Sequence, residues 1–297
     1  MSAPRWLSSH SLYPRARAAA LSLRGADRFY NPLSAWLHTA EQERQAPALS
    51  CLDEIRKIRL EDGLTIWCTP FGELATMDTE IGEHIAFLVA EFVRHIYLLG
   101  PARVNPGTIV LDVGANIGLF TKQALKSGAQ QVVALEPTPG TFRALRWNLQ
   151  AAIAAKQVSA VSTGAWNTAA TLRLTVDPAR PSRSSVMDLT ARTPTYEESI
   201  QVDQLDEIVQ QLKLPRVDFI KMDIEGAELK ALEGAVGILR RYKPQLAIAV
   251  EHTDDRLLNA KMVRDLVLGI NSEYRCKAGP YVVTEGYRLA PDIRYFN

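Results

Sequence analysis

Short continuous apolar runs alternate along the chain with longer segments in which apolar residues recur every three or four positions. The short runs are typical of strands buried on both faces of a parallel sheet, and the longer segments are typical of amphipathic helices. The runs fall at Ile109–Leu111, Val132–Leu135, Val158–Val161, Val217–Met222 and Gln245–Val250. Because helical segments separate them, the pattern predicts an α/β fold with helices on both faces of a mainly parallel sheet.

The part of the chain before the first run has a different pattern. Residues Glu54–Cys68 alternate between apolar and polar positions around Asp62-Gly63, which is typical of a β hairpin. Residues Asp78–Leu99 carry apolar side chains at helical spacing. The same helix carries two glutamates and two histidines, Glu83, His84, Glu91 and His95. A metal site and a solvated or cleft-lining face both remain open, and the irregular spacing favours the second.

The segment Thr108–Glu136 has the pattern of a nucleoside-binding unit. A buried strand ends at Asp112, a loop with Gly114 and Gly118 follows, and a helix leads to a second strand that ends at Glu136. Gly114 allows a ligand to approach the main chain, and Glu136 can accept hydrogen bonds from two ribose hydroxyls. The glycine spacing matches neither the dinucleotide fingerprint nor a phosphate loop. The alternative is ordinary turn chemistry at the two glycines.

The helix after this loop is predicted to begin near Ile117, with Asn116 as its N-cap residue. Its unpaired N–H groups and the positive end of its dipole would then face an anionic group of the ligand, such as a carboxylate. Gly118 would allow the helix to lie close to the strand that precedes it.

Polar side chains terminate four of the predicted strands: Asp112, Glu136, Asp223 and the pair Glu251-His252. The carboxyl ends of parallel strands meet at one edge of a sheet, where open α/β folds bind ligands. Any single one of these groups is explained equally well as the cap of the next helix. Four together predict a binding site on a common rim.

Three further segments extend the prediction. Trp166 follows the third strand, where contact with an adenine and burial as a core tryptophan are equally supported. Residues Asp177–Ser199 are rich in Pro, Ser and Thr and predict a loop, which we expect to act as a mobile lid. Strands near Tyr274–Lys277 and Tyr281–Thr284 predict a terminal hairpin that adds an antiparallel edge strand.

Composition narrows the class of protein. The 297 residues carry a formal net charge of +1, so no nucleic acid is expected as a partner. No apolar run reaches the length of a membrane span, so no membrane is expected as a partner either. The cysteines Cys51, Cys68 and Cys276 lack metal spacing and fit free thiols in a reducing compartment, which predicts a cytoplasmic location.

Three regions are predicted along the chain: an N-terminal helical extension over residues 1–50, a hairpin and helix over 51–100, and a ligand-binding domain over 101–297. Residues Met1–Ala26 contain arginines and no acid, a composition that resembles a transit peptide. Aromatic residues favour instead an extension that docks on the core or on a second subunit. The second arrangement would make the protein a homodimer.

Three motifs of the chain resemble those of the FkbM-type family of S-adenosylmethionine-dependent, class I methyltransferases. They are Asp112-Val-Gly-Ala-Asn-Ile-Gly118, Leu135-Glu-Pro137 and Ile220-Lys-Met-Asp223-Ile-Glu-Gly-Ala-Glu228. The first is shared by most class I methyltransferases, and the last is specific to the family. The resemblance runs from about Glu54 to Glu285.

The resemblance implies a Rossmann-like sheet of seven strands in the order 3-2-1-4-5-7-6, with strand 7 antiparallel, and S-adenosylmethionine as cofactor. It also implies a set of cofactor-binding residues: Asp112, Gly114, Ala115, Asn116, Gly118, Glu136, Pro137, Ala165, Trp166 and Asp223. The main chain of Gly114–Gly118 would hold the methionine portion, Glu136 the ribose, and Ala165 and Trp166 the adenine. Family members mostly methylate oxygen, often hydroxyls of sugars, polyketides or other secondary metabolites. A small-molecule or glycan acceptor is therefore expected.

Methyl transfer to a hydroxyl also requires removal of the hydroxyl proton. His252 is the predicted general base, because the ordinary pKa of histidine lies near neutrality. The alternative for His252 is a helix-capping or packed histidine. Asp223 is a second candidate base, or orients the acceptor or His252, and Glu251 shares the role. No metal ligand is assigned, although clustered acids would also suit a divalent cation. An NAD-dependent oxidoreductase and a non-catalytic nucleoside-binding protein remain alternative functions.

Overall fold

In this computed structural model the described residues are 53–77, 82–98, 101–176, 196–253, 255–279, 281–283 and 289–297, together with positions 16 and 20. The predicted N-terminal extension, apart from those two positions, lies outside the described residues. So does most of the predicted loop Asp177–Ser199. The prediction of a loop is wrong for the last residues of this segment, because a strand begins at Tyr196.

A seven-stranded sheet forms the centre of the molecule. Its strands in chain order are β4 (Ile109–Val113), β5 (Gln131–Leu135), β6 (Val158–Val161), β10 (Phe219–Met222), β11 (Gln245–Ala249), β12 (Cys276–Ala278) and β15 (Ile293–Phe296). Their order across the sheet is β6-β5-β4-β10-β11-β15-β12. Only β15 runs antiparallel to its neighbours among these seven strands. The implied order 3-2-1-4-5-7-6 is therefore confirmed.

Three smaller sheets surround the central one. They comprise β1 (Arg56–Glu61), β2 (Leu64–Thr69) and β3 (Gly72–Met77); β7 (Gly164–Ala165), β8 (Ala170–Val176) and β9 (Tyr196–Asp203); and β13 (Tyr281–Val283) with β14 (Leu289–Pro291). The predicted hairpin around Asp62-Gly63 is present as β1 and β2. The predicted strand near Tyr274–Lys277 is present as β12 at the edge of the central sheet, but its predicted pairing with Tyr281–Thr284 in a terminal hairpin is wrong. Tyr281–Val283 pairs in a separate ribbon, and the four buried residues of β15 supply the antiparallel strand instead.

The helices, in chain order, are α1 (Gly82–Arg94), α2 (Leu119–Lys126), α3 (Pro139–Asn148), α4 (Gln150–Ala154), α5 (Leu205–Gln211), α6 (Glu228–Glu233), α7 (Val236–Arg241) and α8 (Arg256–Ile270). None of the helices in the described part of the chain combines the length and the apolar character needed to cross a membrane.

Alternation along β4 divides the hydrophobic core into two layers. Ile109, Leu111 and Val113 belong to a layer with residues of α5 to α8, whereas Val110 belongs to a layer with residues of α2 and α3. Each large apolar side chain buried in this way contributes roughly 1.5–3 kcal/mol. Burial on both faces fixes the sheet and leaves the carboxyl ends of its parallel strands at one rim.

The N-terminal sheet is attached to the central domain through Asn148 of α3. The Asn148 side chain accepts a hydrogen bond from the Ala75 N–H at 2.7 Å and donates to the carbonyl oxygens of Ala75 and Ile117, both at 2.9 Å. One side chain therefore joins β3 to the loop that follows β4.

We expect Gly234→Ala to lower the free energy of unfolding by about 1–3 kcal/mol or more. A Cβ atom at Gly234 would lie 2.0 Å from the carbonyl oxygen of Trp166, so the backbone at Trp166 would have to move. Urea unfolding followed by circular dichroism measures the change. Gly269→Ala in α8 is the matched control, because no atom lies within 4 Å of its added Cβ. Equal stability of the two variants would contradict the close approach.

Candidate active site

The carboxyl ends of β4, β5, β10 and β11 form the floor of a cleft. The space above this floor measures about 1070 Å³ when the part that is open to solvent is included. It lies where the strand order runs from β4 to β5 on one side and to β10 on the other. This switch point is where open α/β sheets bind ligands.

Gly114 brings the loop after β4 into backbone contact with the end of β10. Its φ is +73°, and an added Cβ would lie 1.9 Å from the carbonyl oxygen of Asp223. The N–H groups of Gly114 and Ala115 both donate to the carbonyl oxygen of Leu135, at 3.0 and 2.9 Å. The loop is therefore held against both neighbouring strand ends, and any larger residue at position 114 would separate them.

Glu136 lies at the end of β5 and lines the cleft, with 7% of its surface exposed. One carboxylate oxygen accepts the N–H of Thr138 and the other accepts the N–H of Asn116, both at 3.0 Å. Burial raises the pKa of Glu136, against the lowering effect of the hydrogen bonds. The Thr138 side chain also hydrogen-bonds to this carboxylate. The role of Glu136 as acceptor for ribose hydroxyls stays a prediction.

The prediction that Asn116 caps the next helix is wrong. Helix α2 begins at Leu119, and Gly118, with a φ of 89°, is its N-cap residue. The left-handed φ of Asn116, 50°, belongs to the loop rather than to a cap. Asn116 lines the cleft, and its side-chain oxygen is buried without a hydrogen-bond partner in the described part of the protein. A bound molecule with a donor group would satisfy it.

Trp166 has one surface on the cleft and another against apolar side chains. It lines the cleft together with Pro137 and Ala165, and it also contacts the apolar cluster of Leu174, Ile200 and Val202. The backbone N–H of Trp166 donates to the carbonyl oxygen of Asp203 at 2.9 Å. The cleft wall beyond β5 is consequently apolar and aromatic.

Asp223, His252 and Glu225 form a hydrogen-bonded chain on the other side of the cleft. The Nε2 of His252 lies 2.7 Å from Asp223 Oδ1, and its Nδ1 lies 3.0 Å from Glu225 Oε2. The Tyr97 hydroxyl donates to Asp223 Oδ2 at 2.6 Å. Burial opposes ionisation of Asp223, but the charge of Lys221 and the hydrogen bond of His252 outweigh it and hold the pKa of Asp223 below its usual range.

His252 is held as a cation in this arrangement. Burial lowers its pKa, but the hydrogen bonds to Asp223 and Glu225 raise it well above the ordinary value. Because each ring nitrogen faces a carboxylate, His252 offers no free lone pair to a substrate proton. The predicted role as general base would require one of these bonds to break. The alternative, in which Asp223 orients His252, agrees with the geometry.

Glu251 belongs to the rim as predicted, but its neighbours differ from those of Asp223. The Arg256 guanidinium lies 3.5 Å from Glu251 and 3.7 Å from Asp292. Burial and then the charge of Glu251 raise the pKa of Asp292 to about 8. The Arg256 guanidinium therefore faces the carboxylates of Glu251 and Asp292, whereas His252 faces those of Asp223 and Glu225.

Two predicted cofactor-binding residues line neither the cleft nor the second cavity described below. Asp112 is fully buried under the loop, where it accepts the Thr121 hydroxyl at 2.6 Å. Gly118 lies against Leu149, and an added Cβ would approach that side chain to 2.9 Å. Both residues support the loop rather than face the space above it.

Sequence reasoning missed Lys221, Tyr97 and Glu225 as site residues. Lys221 Nζ donates to the Gly114 carbonyl oxygen at 2.6 Å and lies 3.5 Å from Asp112 and 3.8 Å from Asp223. A lysine inside an apolar strand was a usable signal, because buried lysines require partners. Tyr97 carries no such signal, since it reaches Asp223 from a short 3₁₀ helix far away along the chain.

A second cavity, which measures about 460 Å³ with its part open to solvent included, lies between α1 and the loop after β4. Leu88, Glu91, Asn116 and Asp223 line both this cavity and the main cleft. His84 also lines the cleft, so the cleft-lining interpretation holds for His84 and Glu91, whereas His95 is exposed beyond the end of α1. The side chain of Glu83 is outside the described positions. Over the described residues, no group of three potential ligands is placed to hold a metal ion.

Sheet order and cleft together define the class I methyltransferase fold. A model of the family described as "Methyltransferase FkbM domain" matches residues 112–269, more than half of the 297. The chain therefore belongs to the FkbM methyltransferase family.

Individual relatives share less than a third of their aligned residues with this chain. Methyltransferase sdnD of Sordaria araneosa is 28% identical over 172 residues, covering 48% of this chain and 65% of that protein. The 31-O-demethyl-FK506 methyltransferase FkbM of Streptomyces tacrolimicus is 28% identical over 208 residues, covering 61% and 76%. The crystal structure of the methyltransferase FkbM from Methylobacillus flagellatus KT is 20% identical with a TM-score of 0.50, covering 91% of this chain and 66% of that one. This chain thus spans slightly less than two thirds of sdnD and of the crystallised protein.

We expect His252 to remain an imidazolium well above pH 6.5, and Glu225→Gln to lower its pKa. The raised pKa adds stability that is fully present below the unfolded value of ~6.5 and is lost as pH rises through the folded pKa. Titration of ¹⁵N-labelled histidine side chains by NMR measures both. His95 is the internal control, because partial burial and Lys126 lower its pKa. Titration of His252 near pH 6.5 in the unaltered protein would contradict the double ion pair.

Proposed function

We propose that this methyltransferase uses S-adenosylmethionine and transfers its methyl group to a hydroxyl of a small molecule, such as a sugar, a polyketide or another secondary metabolite. The charge of the cleft carries the proposal. Its described lining contains the imidazolium of His252, no lysine or arginine, and five acidic side chains: Glu91, Glu136, Asp223, Glu225 and Glu251. Such a lining complements a cationic sulfonium and repels the diphosphate of a dinucleotide.

Residues of the cleft fit this cofactor. Glu136 would accept the ribose hydroxyls, and Pro137, Ala165 and Trp166 offer an apolar wall for an adenine. The side-chain oxygen of Asn116 is buried and has no hydrogen-bond donor among the described residues, so it could accept a hydrogen bond from the cofactor. The close approach at Gly114 keeps the main chain of the loop open to the methionine portion.

Distance along the sheet agrees with an elongated ligand. Glu136 follows β5, and Asp223 and His252 follow β10 and β11, which lie two and three strands away. At ~4.8 Å between neighbouring strands, the two sets of residues are separated by about 10–14 Å. A nucleoside would therefore bind on the β5 side, and the acceptor would bind near β10 and β11.

When bound, S-adenosylmethionine supplies a methyl group made electrophilic by its sulfonium. The protein's own residues then have to align the acceptor oxygen with that methyl group, and such alignment can supply several kcal/mol of the barrier reduction. His252 fixes the carboxylates of Asp223 and Glu225, and Tyr97 fixes Asp223 from the opposite side. These four side chains form a rigid polar surface for the acceptor.

Oxygen as the methyl acceptor is supported by one relative. The name of the Streptomyces tacrolimicus protein, 31-O-demethyl-FK506 methyltransferase, specifies an oxygen of a secondary metabolite. By contrast, an NAD-dependent oxidoreductase is disfavoured by the acidic lining and by the glycine spacing of the loop. A nucleoside-binding protein without turnover would not need the Asp223–His252–Glu225 chain beyond the nucleoside side.

We expect Glu136→Gln to weaken binding of S-adenosylmethionine about 10–100-fold, because the substitution removes charged acceptors from ribose hydroxyls and turns an amide toward a backbone N–H. Isothermal titration calorimetry measures the affinity. Glu197→Gln is the matched control, since the Glu197 side chain is 63% exposed on β9 and pairs with Arg173.

Two outcomes would refute the proposed function. One is an absence of heat when the unaltered protein is titrated with S-adenosylmethionine and with S-adenosylhomocysteine. The other is tight binding of NAD in the same experiment. Methyl transfer itself is measured with a panel of sugar, polyketide and other hydroxyl acceptors, and transfer to any of them identifies the acceptor class.

A further inference from the structure

We propose that Glu91 of α1 is the catalytic residue that removes the proton from the acceptor hydroxyl. This inference rests on the proposed function and assigns its general base. Glu91 lies outside the segment 112–269 that matches the family, near the end of a helix from the N-terminal region. It lines both the main cleft and the second cavity, so its carboxylate stands where the two spaces meet.

The other carboxylates of the cleft are already engaged. Asp223 accepts from Tyr97 and faces His252, and Glu225 faces the second nitrogen of the same ring. Two backbone N–H groups occupy Glu136, and the Arg256 guanidinium lies beside Glu251.

Glu91 differs from these residues. It makes no hydrogen bond or ion pair within the described part of the molecule, although its side chain is only partly exposed. Its oxygens are not among the buried side-chain atoms that lack a partner, so they reach the open space of the cleft. Since His252 has no free lone pair, Glu91 is the lining carboxylate best placed to accept a proton.

The electrostatic surroundings agree with this role. The charged and titratable groups around Glu91 come from its own helix, from the segment after it, and from the ends of β10 and β11: His84, Tyr97, Lys221, Asp223, Glu251 and His252. Burial raises the pKa of Glu91 to about 8, helped by Asp223 and Glu251 and opposed by Lys221 and His252. A base with a pKa near the working pH is efficient, because it is basic enough to take the proton and is still partly ionised.

The proposed step balances as follows. The acceptor oxygen forms a bond to the methyl carbon while the bond from that carbon to sulfur breaks, and the electron pair of the broken bond stays on sulfur as a neutral thioether. The hydroxyl proton moves to the Glu91 carboxylate. Glu91 keeps this proton when the products leave, and the next molecule of S-adenosylmethionine to bind displaces it to water. No oxidant or further reactant is required.

Calorimetry in two buffers of different ionisation enthalpy tests the assignment without an acceptor. At pH 7 a carboxyl with a pKa of about 8 is roughly nine-tenths protonated, and a cation bound beside it lowers that pKa. We therefore expect binding of S-adenosylmethionine to release roughly 0.5–0.9 proton, and binding of neutral-sulfur S-adenosylhomocysteine to release clearly less. Glu91→Gln abolishes this difference, whereas Glu207→Gln on the exposed face of α5 retains it.

The outcomes separate the two proposals. If neither ligand binds the unaltered protein, the proposed function fails. If both ligands bind and the difference in proton release is absent, or is the same in Glu91→Gln, the assignment of Glu91 is overturned. Binding of S-adenosylhomocysteine to Glu91→Gln within about threefold of the unaltered protein shows that the variant is folded, since that ratio is only ~0.6 kcal/mol.

Turnover with an acceptor found in the panel provides a second test. We expect Glu91→Gln to lower kcat by about 10²–10⁴-fold, the usual contribution of a general base, with a cofactor affinity near that of the unaltered protein. In the unaltered protein kcat rises with pH as Glu91 ionises, and this dependence disappears in the variant. Glu91→Asp keeps the charge but withdraws the carboxylate, so it retains part of the rate. A kcat within about threefold of normal in Glu91→Gln would contradict the assignment.

Discussion

A buried ammonium group holds the site together. The Lys221 side chain is 5% exposed, and its Nζ contacts the carbonyl oxygen of Gly114 with Asp112 and Asp223 nearby. Removing an ammonium from water costs several kcal/mol, so this lysine is stable only because oxygens surround it. The same contacts fix the loop after β4 relative to the end of β10. The shape of the cleft above the rim depends on this fixed position of the loop relative to β10.

The carboxylates on the rim are arranged so that each has a different environment. Hydrogen bonds and a nearby cation keep Asp223 ionised, whereas burial and neighbouring negative charges keep a proton on Glu91. Such a division between neighbouring acids allows one group to hold a fixed charge while another exchanges protons. A cationic ligand would be attracted to the rim as a whole, and under the proposal above Glu91 is the lining carboxylate that loses its proton when that ligand binds.

The central sheet could be predicted from the sequence because its strands are continuous apolar runs with polar ends. Asp112, Glu136 and Asp223 mark three of these ends, and the order of the strands follows from the family resemblance. The antiparallel strand was misplaced, because Ile293–Phe296 lies near the chain end and has no turn signal that distinguishes it from Tyr281–Val283.

Contacts made across long sequence separations could not be predicted. Tyr97 and Asp223 are 126 positions apart in the sequence, and neither residue type indicates that their side chains are hydrogen-bonded. The charge of His252 is a similar case. Its ordinary pKa favours a base, but two carboxylates that converge on the ring from one turn of the chain reverse that expectation. Asn116 was predicted to be an N-cap because asparagine is common at that position. In the structure it adopts a left-handed backbone conformation in the loop, which asparagine also tolerates better than most residues.

The junction made by Asn148 has a consequence for how the chain could be recombined with those of its relatives. Through this one amide, β3 is tied to the loop after β4, and α1 follows β3 directly in the described order of elements. Residues 53–98 supply the sheet of β1 to β3 and helix α1, so the wall of the cleft that contains Glu91 comes from this region. Exchange of residues 53–98 between relatives would therefore replace this wall and leave the wall beyond β5 unchanged.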